Sequence, residues 1–94
     1  MTHPQLDVLR KQLDELDEHL VSLLAERFKI TDQIGLYKCE HHMAPSDPSR
    51  ERTQEERIRK LAAKHGLDVK IAEKVLRVII NETVERHRAV QEQL

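Results

Sequence analysis

"LRKQLDELDEHLVSLLAERFKITDQIGLYK", residues 9–38, holds the longest regular pattern in the chain. Its apolar residues recur as Leu9, Leu13, Leu16, Leu20 and Leu23, then Ile30, Ile34 and Tyr37, with Arg27 standing in the series. The spacing alternates four and three, which is a helical seam of period 3.5. No proline interrupts the stretch between Pro4 and Pro45. One helix is therefore expected from about Leu6 to about His41, on the order of 50 Å long at about 1.5 Å per residue. Gly35 is its weak point, costing roughly 1 kcal/mol relative to alanine, and it permits close approach of a neighbour.

Working outward, "MAPSDPSR" (residues 43–50) is the first clear break. Asp47 before Pro48 reads as an N-cap with proline at the first helical position. A second helix is expected from Pro48 to about Lys64, with Gly66 as its left-handed C-terminal residue. Its apolar content is thin: Ile58, Leu61, Ala62 and little else. Asp68 caps a third helix reaching about Gln91, whose stripe is Ala72, Leu76, Ile79, Ile80, Thr83 and His87.

Composition agrees with an all-α fold in a single domain. The 94 residues are 35% charged, with two glycines, three prolines, no tryptophan, one tyrosine and one phenylalanine. A compact chain of this size has a radius of gyration of about 13 Å. Two short helices cannot cover a seam so much longer than that. A second copy of the chain is the simplest cover, so an interlocked helical homodimer is expected.

The net charge of −1 provides no basic field for nucleic acid or an anionic membrane, and almost no aromatics are present for base stacking. No run of 18 apolar residues exists to span a bilayer, and the N-terminus lacks the features of a signal peptide. The lone Cys39 excludes an internal disulfide and fits a reducing compartment, so a cytoplasmic location is expected. Cys39 has no evident base beside it. His41, His42 and His65 have no i, i+4 partner of ligand type, and the adjacent His41 and His42 diverge on a helix, so no metal site is assigned.

Arg27 is the sharpest anomaly, a permanent charge on an apolar seam. Its structural reading is an ion pair with Glu26, Asp32 or a residue of another chain, although buried pairs often give little net stability. Its functional reading is a grip on an anion, because the planar guanidinium matches a carboxylate. Lys38 follows 11 residues later, almost three turns on the same face and roughly 16 Å away. Two extended cationic side chains can converge on one small ligand from there. Arg10 lies roughly 25 Å from Arg27 along the axis; it reaches such a ligand only in another subunit, with the long helices antiparallel.

Asp47, Arg50 and Glu51 share a face of the second helix. The run "RERTQEERIRK" (residues 50–60) also shows how many charges here need no function beyond solvation. Thr83 can satisfy its hydroxyl on its own helix. A histidine on an apolar stripe, as His87 is, is ordinarily a hydrogen-bonded core residue, yet it presents a directed N–H.

Taken together, the stretches "LRKQLDELDEHLVSLLAERFKITDQIGLYK", "DPSRE" and "VIINETVERH" resemble the all-helical (AroQ-class) chorismate mutases over about residues 5 to 90. The resemblance implies a three-helix protomer in an intertwined dimer with two sites, each taking one arginine from the partner. It implies the rearrangement of chorismate, or of a chorismate-like dicarboxylate, without cofactor, metal or nucleophile. By the same resemblance, Arg27 and the partner's Arg10 bind substrate carboxylates, and Lys38 reaches a carboxylate and the ether oxygen. Glu51 and the backbone at Asp47 take the ring hydroxyl, while Arg50 and Thr83 support the pocket wall.

One position departs from the family pattern. His87 stands where many members carry glutamine or glutamate as the second ether-oxygen donor. It can donate in either charge state, but only its protonated form adds positive charge. The departure opens three alternatives: an isochorismate-pyruvate lyase, an amino-chorismate mutase, or a weak enzyme completed by an activating partner protein. A silent helical dimer serving as a binding or regulatory module would keep the seam but have no use for Arg27 or Lys38.

Overall fold

A computed structural model describes residues 3–93, and it is all-helical there, with no strand among the described residues. Helix α1 runs Pro4–Glu40, α2 runs Pro48–His65 and α3 runs Val69–Gln93. The chain forms two compact units divided within α1, the first ending at Ile30 and the second beginning at Thr31.

The first unit is the N-terminal stretch of α1, and its leucine seam is exposed. Leu9, Leu13, Leu16, Leu20 and Leu23 are each exposed, Leu16 by 64%. Burying a leucine side chain contributes about 1.5–3 kcal/mol, so a row of bare leucines is a surface that lacks its cover.

The second unit comprises the end of α1 with α2 and α3. Its core is small: Ala62 of α2 and Ala72, Leu76 and Ile80 of α3 are buried, while Ile79 and Thr83 are half-buried beside them. The helix ends follow local chemistry. The α1 helix stops one residue before the expected His41. His42 adopts φ 54°, and the amide of Met43 donates back to the Lys38 carbonyl at 2.8 Å. His41 lies outside the helix, stacked on Tyr37, with its Nδ1 2.8 Å from the Tyr37 carbonyl.

At the start of α2, the Asp47 carboxylate accepts from the Arg50 amide at 3.1 Å, and Pro48 occupies the first turn. At its end, Gly66 takes φ 70°, ψ 25°, and the Leu67 amide donates to the Ala62 carbonyl at 2.9 Å. That left-handed turn suits glycine and releases the chain into α3. Asp68 accepts from the Lys70 amide at 2.8 Å as α3 begins. Among the described residues, no helix is long and apolar enough to cross a membrane.

Candidate active site

In the first unit, Arg10 is exposed and Arg27 is half-buried. Among the described residues neither forms an ion pair. Asp32, one carboxylate that the sequence offers to Arg27, is held by a different arginine. Arg86 of α3 donates from Nε to Asp32 Oδ1 at 2.9 Å and from Nη2 to Oδ2 at 2.6 Å. This fork holds the Asp32 carboxyl below the ordinary carboxylate range; slight burial opposes the shift, while the charge of Arg86 and that of His87 add to it.

In the second unit, Lys38 is half-buried at the end of α1, and its Nζ donates to the Pro45 carbonyl at 3.3 Å. The contact ties the ammonium to the loop that leads into Asp47. Arg50 is exposed in the first turn of α2, where its amide is used by the cap. Glu51 is only 22% exposed in its side chain, and its Oε1 accepts from Arg77 Nη1 at 2.8 Å. Arg77 also donates through Nη2 to Glu55, one turn further along α2. The hydrogen bond that Arg77 donates to Glu51 is the main cause that raises the Arg77 pKa; slight burial works against it, and Glu55 adds to it.

On α3, the Thr83 hydroxyl donates to the Ile79 carbonyl of its own helix at 2.8 Å, as a threonine on an apolar stripe can. His87 is 3% exposed, the most deeply placed polar side chain of the core. Its Nε2 lies 2.7 Å from the Thr31 carbonyl of α1. A carbonyl only accepts, so Nε2 carries the hydrogen in this bond. The second nitrogen, Nδ1, is buried without a hydrogen-bond partner among the described residues. In the neutral ring Nδ1 is then an acceptor; it becomes a donor only when the ring is protonated. The imidazole lies flush on Gly35, where an added Cβ would meet His87 Cδ2 at 2.6 Å.

Lys38, the N-cap loop, Glu51, Thr83 and His87 all belong to the second unit, each with a different hydrogen-bond partner. Its clefts include one of about 350 Å³ beside Glu55, Leu76, Arg77 and Ile80. An open one of about 600 Å³ lies at Cys39, His42, Met43 and Gln91. Reading from sequence missed Arg77, Arg86 and the Thr31 carbonyl. The i, i+4 pair Glu51 and Glu55 was the available signal for Arg77, since two carboxylates one turn apart suit a guanidinium fork.

The family model for chorismate mutase type II matches residues 9–88. The chain is 33% identical over 89 residues to a chorismate mutase of Methanocaldococcus jannaschii, covering 95% of this chain and 86% of that protein. It is 34% identical over 85 residues to the bifunctional chorismate mutase/prephenate dehydratase of Escherichia coli K12, of which it spans 22%. A 4-amino-4-deoxychorismate mutase of Streptomyces venezuelae is 33% identical over 78 residues, which is 83% of this chain and 76% of that relative.

Proposed function

The chain belongs to the chorismate mutase type II family, and from that premise we propose that it catalyses the Claisen rearrangement of chorismate to prephenate. The reaction is unimolecular. One C–O bond breaks as one C–C bond forms, and no group leaves the molecule. The enzyme's task is to hold a flexible dianion in its compact conformer and to stabilise negative charge growing on the ether oxygen.

The proposed site uses two copies of the chain. Arg27 and the partner's Arg10 bind the two carboxylates, while Lys38 serves a carboxylate and the ether oxygen. Glu51 accepts the ring hydroxyl, aided by the backbone at Asp47, and Arg50 and Thr83 back the wall. The exposed leucine seam of α1 supports the dimer, because an antiparallel second α1 covers it and delivers Arg10. His87 is the second donor to the ether oxygen. With Nε2 engaged by the Thr31 carbonyl, the nitrogen left for the substrate is Nδ1, which is buried in the single chain and is a donor only in the imidazolium.

One observation carries the reading: Arg27 is a half-buried guanidinium on the family-matched helix, with no ion pair among the described residues. A cation placed for packing would ordinarily be paired. The test is loss of the ultraviolet absorbance of chorismate with formation of prephenate, run beside isochorismate and 4-amino-4-deoxychorismate. Arg27→Ala is expected to cut kcat/KM by about 10³-fold while leaving helix content unchanged. Pyruvate and salicylate from isochorismate, or turnover of the amino compound alone, would replace this reading with the corresponding alternative. Inertness toward all three would favour a binding module.

A further inference from the structure

Glu51 and Glu55 lie one turn apart on α2, and Arg77 of α3 reaches both with its two terminal nitrogens. A carboxylate offers about four lone-pair sites on two oxygens. The bond from Arg77 Nη1 occupies Oε1 of Glu51 at 2.8 Å, and Oε2 stays available to a ligand hydroxyl. An unrestrained glutamate would sample several rotamers, and a hydroxyl acceptor has to be in place before the substrate arrives. We infer that Arg77 is a positioning residue that fixes the Glu51 carboxylate, with one oxygen held and the other presented to the substrate's ring hydroxyl. This rests on the reading of Glu51 given above.

The competing explanation is a simple brace between α2 and α3. Arg77 is 44% exposed, and ion pairs so open to solvent contribute little to stability. The two explanations also differ in kinetics. A hydroxyl contact is made in the ground state and the transition state alike, so its loss appears in KM. A weakened brace lowers the fraction of folded enzyme, which reduces kcat and leaves KM alone.

The experiment is steady-state kinetics on chorismate with the full chain, each variant first checked for helix content by circular dichroism. Arg77→Gln is expected to raise KM about tenfold with kcat held within about twofold. In a Glu51→Gln background the same substitution should add nothing, because the group it positions is gone. Arg77→Lys, which keeps the charge but loses the fork, should raise KM by less. Glu55→Gln is expected to change KM by less than about twofold, since it leaves the Glu51 bond in place.

A fall in kcat at constant KM would overturn the inference, as would an equal KM rise in the Glu51→Gln background. So would a Glu55→Gln variant that reproduces Arg77→Gln. If Glu51→Gln alone leaves KM unchanged while the wild type turns over chorismate, the assignment of Glu51 itself fails, and this inference fails with it. No turnover of chorismate by the wild type would instead overturn the parent function.

Discussion

At His87 the Thr31 carbonyl decides which ring nitrogen bears hydrogen. The buried Nδ1 can serve an ether oxygen only from the protonated ring. The sign of the pH dependence follows: kcat/KM falls as the ring loses its second proton. His87→Gln, whose amide donates at any pH, should flatten that limb; a wild-type profile already flat from about pH 5 to 9 would remove His87 from the chemistry. Asp32 makes a second residue-scale case. Its carboxyl is held below the ordinary value chiefly by the hydrogen bond from Arg86. A depressed acid contributes stability above the unfolded pKa, near 4, and loses it as pH falls through the folded value. Arg86→Gln is therefore expected to destabilise the chain at neutral pH and to make urea midpoints less sensitive to acid below about pH 4. Equal sensitivity in both proteins would contradict the pairing.

Within the elements, Gly35 links α1 to α3. Alanine there would gain roughly 1 kcal/mol of helix propensity. Its Cβ, however, would sit 2.6 Å from His87 Cδ2, and overpacking a tight contact costs about 1–3 kcal/mol. Displacing the ring also breaks the bond to the Thr31 carbonyl, so Gly35→Ala should lower the melting temperature and the turnover together. A raised melting temperature would mean the ring moves freely. Pro48, Asp47 and Gly66 were readable as helix punctuation because each acts on its own few residues. The α3 stripe was readable because burial follows its period: Ala72, Leu76, Ile80 and His87 are the buried positions. The pairings were not readable. His87 with Thr31, Arg86 with Asp32 and Arg77 with Glu51 join residues 56, 54 and 26 positions apart. In a chain that is 35% charged, every arginine has many plausible carboxylates, and only packing selects one.

For the whole molecule, the proposed dimer turns on the leucines of α1. The seam at Leu9, Leu13, Leu16, Leu20 and Leu23 was legible from spacing, and these residues are bare in the single chain. The anion site proposed at Arg27 has the same need as the seam, because the second carboxylate ligand proposed for it is Arg10 of another copy. Dimer formation and catalysis are then one event and can be tested together. Arg10→Ala and Arg27→Ala chains are each made separately, then unfolded, mixed in equal amounts and refolded. The mixture is assayed for conversion of chorismate to prephenate. Each variant alone should be nearly inactive. In the mixture, half of the dimers carry one of each chain, and one of their two sites has both arginines intact. About a quarter of wild-type activity should therefore return. A mixture no more active than the average of its two components would contradict a site shared between chains.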